Sequence, residues 1–378
     1  MSDIHYEIRG RAGLITLNRP QALNALSLPM VRALTGVLLD WADRGEVEVV
    51  AIRGMGKGVG QPASPAPFGA FCAGGDIRFF HQAALAGDPT LEDFFSEEYA
   101  LNHLVHRFPK PYLVFMDGIV MGGGMGIAGH GAPHALRIAT ERTKMAMPET
   151  AIGLFPDVGG GWFLARCPGR LGEYLALTGQ VIDGAAALTA GLADSVMDSA
   201  DLPGVWDALA TQGIRGLANL RERKGSGRDT RMVPHREAID QFFGLPDVPA
   251  IIAALEAAPG DWARETAAVL RKRSPLMLHV VLEQVRRARS MTLADDLLME
   301  RGMVRQCFHL RPGTSSETVE GIRALAVDKD HTPRWNPARI EDVTPAMVQA
   351  FFESPWPAHA HPLRELIADQ KDPLPFVE

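Results

Sequence analysis

The distribution of apolar and polar positions divides the first half of the chain into short strands and helices. Strands are predicted at four β-rich apolar runs that end in turn residues: 12–20, 47–54, 110–120 and 134–140. Between the first two strands, residues 27–45 show helical periodicity, with Ser27 as N-cap and Gly45 at the end. Strands that alternate with helices in this way predict an α/β fold.

Helical periodicity dominates the chain from about residue 200 onward. It is present in three long stretches: 247–274, 274–291 and 293–308. A charged connection is predicted at 221–232, before these stretches begin. We therefore predict a core formed by residues 1–200 and a mainly helical C-terminal region formed by residues 201–378.

Residues 54–70 interrupt the pattern of the first half, because they are rich in Gly and Pro and have no period. They are predicted to form a loop. A phosphate-binding loop is the alternative interpretation. It is disfavoured because the Gly-Lys pair in this stretch is not followed by the Ser or Thr that such a loop needs.

The composition is typical of a globular protein, with 378 residues, 46% of them hydrophobic, and a net charge of −7. The lack of a long basic run argues against a nucleic-acid surface. None of the three cysteines is in a CxxC pair, which argues against a zinc site or a disulfide framework. The acidic start lacks the apolar region of a signal peptide, and no uncharged apolar run reaches about 18 residues. We therefore expect a cytoplasmic protein that does not span a membrane.

Three glycine-rich segments are the candidates for chemistry: 71–78, 118–131 and 145–161. Each has glycines where a loop meets a predicted helix start, so that backbone N–H groups can approach a ligand and hold a developing oxyanion. The third segment also carries Glu149 and Asp157, with no Lys or Arg between or beside them. Such carboxylates are costly unless they are used. Taken alone, Glu149 can be explained as an acid at a helix start and Asp157 as an Asp in a turn. The presence of both acids beside a glycine-rich run favours a functional site.

Two other interpretations of these segments are weaker. Gly124, Gly126 and Gly129 spell the GxGxxG dinucleotide motif directly after a predicted strand. However, the first acid after the next strand is Glu141, which is at the wrong offset for a ribose contact. Cys72 has no adjacent His, so a small buried side chain is favoured over a nucleophile.

Taken together, the motifs resemble the enoyl-CoA hydratase/isomerase, or crotonase, superfamily. The order and spacing of four motifs match over about residues 5–200: 18–26, 71–78, 118–126 and 147–161. Within the superfamily, the match narrows to the 3-hydroxyisobutyryl-CoA hydrolase subfamily. This narrower resemblance depends on four motifs, 73–78, 97–102, 147–161 and 320–335, and the last is a late motif that general hydratases lack.

The resemblance implies a spiral core of ββα turns, with the helical C-terminal region packed over the active site. It implies an acyl-CoA substrate and no metal or other cofactor. By carry-over, the N–H groups of Gly75 and Gly123 form the oxyanion hole for the thioester carbonyl. Glu149 is the catalytic carboxylate, either as a base for water or as a nucleophile that gives a mixed anhydride.

Substrate recognition is also implied by the resemblance. Asp157, which stands where a hydratase has glycine, is expected to act in catalysis and to bind near the 3-hydroxyl together with Glu98. Ala73 and Asp76 are expected to contribute to substrate binding. The second glutamate of hydratases would fall at Gly126, and glycine cannot do its work, so hydratase chemistry is not expected.

We therefore expect an acyl-CoA thioester hydrolase that acts on 3-hydroxyisobutyryl-CoA in valine breakdown. Two alternatives stay open: an enoyl-CoA hydratase or isomerase, and a non-catalytic acyl-CoA-binding protein. Retention of both Glu149 and Asp157 argues against the second. The resemblance also implies a possible homo-oligomer, although the helical C-terminal region would be placed to cover that surface.

Overall fold

The computed structural model describes residues 2–57, 65–217 and 235–368. The predicted connection at 221–232 and the middle of the predicted loop at 54–70 lie outside the described residues.

Nine strands are present in the described part of the chain. They are β1 Ile4–Arg9, β2 Ala12–Leu17, β3 Val49–Lys57, β4 Pro65–Gly69, β5 Tyr112–Met116, β6 Ile119–Met121, β7 Ala135–Thr140, β8 Lys144–Ala146 and β9 Ser195–Met197. The main sheet has the order β1-β2-β3-β5-β7-β9, with β4 paired to β3. Its strands are parallel except for the β1–β2 and β3–β4 pairs, while β6 and β8 form a separate parallel pair.

The central strands are apolar along their length because the sheet is covered on both faces. All five residues of β5 are buried, as are the first four of β3. Parallel strands buried on both faces show such continuous apolar runs, which explains why the sequence pattern located them. The predicted α/β class is therefore confirmed.

Two predicted elements differ from the structure. The stretch 54–70 is not all loop, because residues 54–57 continue β3 and 65–69 form β4, which pairs back onto it. The strand predicted at 110–120 is divided into β5 and β6. The division occurs at Gly118, which has φ +76° and lies so close to Gly69 that an added Cβ would be 2.1 Å from its carbonyl oxygen.

The helices of the first 217 residues connect the strands. They are α1 Leu28–Asp43, α2 Ile77–Ala86, α3 Thr90–His106, α4 Gly123–Gly126, α5 Gly160–Ala165, α6 Leu171–Thr178, α7 Gly184–Thr189 and α8 Leu202–Gln212. Ser27 is the N-cap residue of α1, as predicted, and the helix ends at Asp43.

The described C-terminal residues are mainly helical, as the periodicity predicted. Their helices are α9 Arg236–Phe243, α10 Val248–Ala257, α11 Asp261–Leu270, α12 Pro275–Ala288, α13 Leu293–His309, α14 Glu317–Ile322, α15 Pro345–Gln349 and α16 Glu365–Ala368, and a π-helical turn follows α14 at Arg323–Val327. Buried side chains from both halves of the chain, such as Leu164 and Leu278, belong to one hydrophobic core. The division at residue 200 stays a prediction. None of the described helices is both long and apolar enough to cross a membrane.

Candidate active site

Two glycine-rich turns form one wall of a cavity of about 210 Å³. Gly75 precedes α2, and Gly123 is the first residue of α4. The two backbones approach so closely that a Cβ built on Gly123 would lie 3.4 Å from the Gly75 amide nitrogen. The sequence therefore needs glycine here, because a side chain would enter the narrow space between the two turns.

The hydrogen bonds around Gly75 leave its amide available to a ligand. Leu26 N–H donates to the Gly74 carbonyl at 2.7 Å, and Asp76 N–H donates to the Leu26 carbonyl at 3.1 Å. Within the described part of the chain, the N–H groups of Gly75 and Gly123 have no acceptor. Two free donors on one wall are suited to a carbonyl oxygen that gains negative charge.

Helix α3 supplies Glu98 to the same cavity. Glu98 is 2% exposed, and its Oε1 atom has no hydrogen-bond partner among the described residues. A Cβ on Gly123 would lie 2.5 Å from that oxygen, so Glu98 stands directly beside the glycine turn. An unpaired buried carboxyl oxygen is costly in a resting protein and is explained by a ligand that donates to it.

Glu149 begins a 3₁₀ turn, Glu149–Ile152, that also lines the cavity. The side chain is buried, and no described group donates to Oε2. A Cβ built on Gly122 would lie 2.9 Å from Oε1, which places the carboxyl against the turn that presents Gly123. Glu149 therefore lies next to the candidate oxyanion site.

Asp157 completes the group of carboxyls. The Tyr99 hydroxyl donates a hydrogen bond of 3.0 Å to Asp157 Oδ2. The next residue, Val158, has φ +56°, a left-handed conformation that is unusual for a β-branched side chain. Such backbone persists only where neighbouring contacts hold it, and it is frequent at functional sites.

The three carboxyls share an environment without cations, since none of the residues lining this cavity is Lys or Arg. Burial raises the pKa of Glu98 and of Glu149 well above the usual range, and the nearby Asp157 charge raises both further. Burial also raises the pKa of Asp157 to about 7, against the opposing effect of the Tyr99 hydrogen bond. Perturbed carboxyls in a cleft are typical of catalytic sites.

Six of the seven predicted site residues line this cavity: Ala73, Gly75, Glu98, Gly123, Glu149 and Asp157. Asp76 lies outside its lining. The Asp76 carboxylate caps α2 by accepting from Phe79 N–H, and it pairs with Arg19 at 2.9 Å. The role of each residue toward substrate stays a prediction.

Gly126 packs against two side chains that the sequence did not connect to it. A Cβ there would lie 2.7 Å from Val158 Cβ and 2.8 Å from Asn102 Nδ2. Asn102 is fully buried, and neither of its side-chain polar atoms has a partner among the described residues. The position is therefore closed to a larger side chain, and a glutamate at 126 would displace its neighbours.

Sequence reasoning missed Tyr99 and Asn102, which share α3 with Glu98. Their signal was present in the spacing, because residues three and four apart lie on one face of a helix. For Cys72 the interpretation as a buried side chain is confirmed, since it is fully buried and burial raises its thiol pKa to about 12. Among the described residues, no group of three or more His, Cys, Asp or Glu is arranged to hold a metal ion.

Comparison with known proteins gives the family. The sequence matches the family described as enoyl-CoA hydratase/isomerase over residues 12–352. The chain belongs to this family. Similar family members include two proteins named 3-hydroxyisobutyryl-CoA hydrolase, mitochondrial. The Xenopus tropicalis protein is 39% identical, covering 91% of this chain and 87% of that protein. The human protein is 38% identical, with coverage of 93% and 89%.

Solved structures of the enoyl-CoA hydratase/isomerase family confirm the crotonase-like fold. A structure titled enoyl-CoA hydratase from Rhodobacter sphaeroides has a TM-score of 0.83 and 37% identity, covering 94% of this chain and 98% of that chain. One titled carnitinyl-CoA dehydratase from Mycobacterium thermoresistibile has a TM-score of 0.81 and 36% identity, with coverage of 93% and 97%. The expected spiral of ββα turns with a helical C-terminal region is thus confirmed.

Proposed function

We propose that this chain hydrolyses an acyl-CoA thioester, with 3-hydroxyisobutyryl-CoA as substrate. The observation that carries the proposal is the set of three buried carboxyls, Glu98, Glu149 and Asp157, around two unpaired glycine amides. Relatives named for this hydrolase activity match about nine-tenths of the chain, which supports the choice of substrate. The product would then enter valine breakdown.

The glycine amides would stabilise the oxyanion. The thioester carbonyl oxygen accepts hydrogen bonds from Gly75 and Gly123, and the negative charge that develops on it strengthens both bonds. Such preorganised donors act in a site from which water is largely excluded, so they contribute strongly to the rate. The apolar side chains of Ile77 and Leu154, which line the same cavity, provide that surrounding.

Glu149 would act on the carbonyl carbon by one of two routes. As a base, it takes a proton from water while the water oxygen bonds to the carbonyl carbon, and the C–S bond then breaks. As a nucleophile, its own oxygen bonds to the carbon and expels the CoA thiolate, and water hydrolyses the resulting anhydride. In both routes the sulfur gains a proton and leaves as free CoA thiol. Both routes need an ionised Glu149.

Glu98 and Asp157 would recognise the 3-hydroxyl. Both are acceptors in an otherwise apolar wall, and Glu98 Oε1 is free to accept. A hydroxyl that donates to an ionised carboxylate gains about 1.5–3 kcal/mol. A substrate that lacks the hydroxyl leaves Glu98 Oε1 without a donor, which adds to the discrimination.

Enoyl-CoA hydration is the competing function, because the two solved structures reported above are titled as a hydratase and a dehydratase. Hydration uses two carboxylates around one water. Gly126 occupies the place where we expect the second one, and its surroundings are closed by Val158 and Asn102. Asp157 is a carboxyl at a different place in the cavity. We therefore favour hydrolysis.

A panel of acyl-CoA thioesters tests the proposal. Free thiol is measured for 3-hydroxyisobutyryl-CoA, 3-hydroxybutyryl-CoA, isobutyryl-CoA and butyryl-CoA, and loss of the enoyl absorbance is measured for crotonyl-CoA. We expect thiol release, fastest from a 3-hydroxyacyl thioester. Efficient hydration of crotonyl-CoA without thiol release would replace the hydrolase with a hydratase, and binding without turnover would leave a non-catalytic acyl-CoA-binding protein.

Replacing Asp157 tests recognition of the hydroxyl. Asp157→Asn keeps the shape of the side chain and removes its charge. We expect the wild-type protein to prefer 3-hydroxyisobutyryl-CoA over isobutyryl-CoA by at least about tenfold in kcat/KM, and the variant to lose most of that preference. The deoxy substrate is the internal control, because damage to the shared machinery slows both reactions alike. An unchanged ratio would show that Asp157 does not read the hydroxyl.

The pH dependence follows from the raised carboxyl pKa values. Ionised Glu149 is lost as the pH falls through its raised pKa, so kcat/KM should rise with pH and reach its plateau above the range of an ordinary glutamate. In Asp157→Asn the like charge that raises the pKa of Glu149 is absent. The ascending limb should therefore move to lower pH. The profile is measured with isobutyryl-CoA. If the ascending limb stays at the same pH in the variant, the Asp157 charge does not raise the pKa of Glu149.

Three further expectations are part of this proposal. The reaction uses no metal or redox cofactor, since CoA belongs to the substrate. The protein acts in the cytoplasm, although the relatives above are named mitochondrial. It forms a homo-oligomer. Activity after dialysis against a chelator, cell fractionation and light scattering would test these expectations in turn.

A further inference from the structure

The turn that carries Asp157 is held by side chains from the C-terminal helices. Gly159 N–H donates to Glu300 Oε2 at 2.7 Å, and Gly161 N–H donates to Glu300 Oε1 at 2.9 Å. Trp162 N–H donates to Asp296 Oδ2 at 2.8 Å. Both acids lie on α13, more than a hundred residues away in the sequence. One helix therefore satisfies three amides at the start of α5.

The carbonyl groups on both sides of Asp157 are fixed as well. Gln284 Nε2 donates to the Pro156 carbonyl at 2.7 Å and to Glu300 Oε1 at 2.9 Å. His130 Nε2 donates to the Val158 carbonyl at 2.5 Å. Burial lowers the pKa of His130 to about 3, so this ring is neutral and its proton is on the nitrogen that faces the carbonyl. The carbonyl groups of the residues before and after Asp157 thus have fixed partners.

These contacts explain how the strained backbone of Val158 is retained. Its left-handed φ of +56° is unfavourable for a β-branched residue and needs surrounding contacts to hold it. Glu300 is the acceptor that joins the two sides of the turn, because it binds Gly159 and Gly161 together and also meets Gln284. Glu300 is fully buried and pairs with backbone amides, with no cation among its hydrogen-bond partners in the described residues. Burying a carboxyl in this way is expensive.

Helix α13 is also attached to the helix that carries the other acyl-binding groups. Arg301, next to Glu300, is 1% exposed and pairs with Glu92 of α3 at 2.5 Å. It also donates to Ser96 Oγ at 2.9 Å. Glu98 and Tyr99 follow on the same helix. Helix α13 is therefore in contact with both elements that face the expected 3-hydroxyl.

We infer that Glu300, assisted by Asp296, is a positioning residue that sets the place of the Asp157 carboxyl relative to Glu98 and thereby the preference for a 3-hydroxyacyl group. This inference rests on the proposed function of Asp157. Glu300 is not among the residues that line the cavity, and it acts through the turn. Through Glu300, the C-terminal region contributes to substrate discrimination as well as covering the core.

The test uses Glu300→Gln in the 378-residue chain. Glutamine keeps the shape, but its amide group faces one of the two glycine N–H donors and cannot accept from it. We expect kcat/KM for 3-hydroxyisobutyryl-CoA to fall by up to about a hundredfold, as for a small displacement of a reacting group. With isobutyryl-CoA the loss should be smaller, so the preference ratio should approach that of Asp157→Asn. In the double variant the two effects on this ratio should not add.

Glu173→Gln is the matched control. Glu173 is equally buried, but its carboxylate pairs with Arg170 and Arg289 beside α6. We expect this variant to melt at a lower temperature without changing the preference ratio. Asp296→Asn provides a second variant of the same turn if Glu300→Gln does not fold, and it should shift the ratio in the same direction.

Hydrogen–deuterium exchange gives a readout that does not need activity. The amides of Gly159 and Gly161 should exchange slowly in the wild-type protein and much faster in Glu300→Gln, while exchange in β5 stays unchanged. If Glu300→Gln keeps the amide protection and the preference ratio of the wild-type protein, the positioning role is overturned. If the wild-type protein releases no thiol from any acyl-CoA, the proposed function fails, and the exchange of these two amides still decides whether Glu300 holds the turn.

Discussion

Glu149→Gln should lower kcat for thioester hydrolysis by at least about a hundredfold while acyl-CoA still binds. The substitution keeps the size of the side chain and removes the only group that can serve as base or nucleophile at this position. Glu149 lies beside the glycine turn, with Oε2 free of any described partner. Because its charge is unfavourable in the buried site, the folded variant should be at least as stable as the wild-type protein.

Turnover and thermal melting of the same preparation decide this prediction. Glu173→Gln is the control, since it makes the same chemical change at a buried acid outside the cavity and should keep its kcat. Wild-type turnover by Glu149→Gln would remove Glu149 from the chemistry. In heavy-oxygen water, label that appears in the Glu149 carboxyl of the wild-type protein after many turnovers would identify the anhydride route, because that carboxyl gains a water oxygen only when water attacks the enzyme carbonyl of the anhydride.

The sequence predicted the fold well where burial imposes a simple pattern. The strands β3 and β5 are continuous apolar runs because both faces of the sheet are covered. The hairpin of β3 and β4 was missed because its glycines and prolines are typical of loops, while the pairing depends on a neighbour eight or more positions away. The turn at Gly118 was missed for a related reason, since only tertiary contact with Gly69 shows why the strand must break.

The sequence predicted the residue types of the site better than it predicted the residues that hold them in place. Glu149, Asp157 and the glycine segments were noticeable because acids in an apolar, cation-free stretch have no structural need to be there. Their partners leave no such local signal. Tyr99 lies 58 positions before Asp157, and Glu300 lies 141 positions after Gly159. No periodicity or spacing connects positions so far apart, and only the packing of α3 and α13 brings them to the turn.

Asp76 shows the opposite difficulty, in which a motif position suggests more than its side chain does. It stands between Gly75 and the first residue of α2, which line the cavity. Its carboxylate turns away to cap that helix and to pair with Arg19. The presence of Asp76 in the motif is therefore explained in part by its role in fixing the turn that contains Gly75. Asp76→Asn tests this role. Asparagine can also cap the helix and support the turn without a charge, so the variant should retain most activity.

Gly123→Ala should lower kcat by about a hundredfold to a thousandfold, the loss typical of removing one oxyanion donor. The added methyl would lie 3.4 Å from the Gly75 nitrogen and 2.5 Å from Glu98 Oε1, so it occupies the space in which the thioester oxygen would meet both amides. Glu98 can move its carboxyl aside, whereas the backbone of the two turns cannot, and the fold should therefore survive. A larger residue, as in Gly123→Val, should reduce the remaining activity further.

Gly36→Ala is the matched control for this substitution. Gly36 is an exposed position in the middle of α1, and a Cβ there meets nothing within 4 Å. In a helix interior this change should raise stability by about 0.5–1 kcal/mol and leave turnover unchanged. Melting temperature, kcat and binding of CoA are measured for both variants. A Gly123→Ala protein that folds, binds CoA and turns over at the wild-type rate would exclude the Gly75–Gly123 pair as the oxyanion site, because the methyl group and the oxyanion cannot share that space.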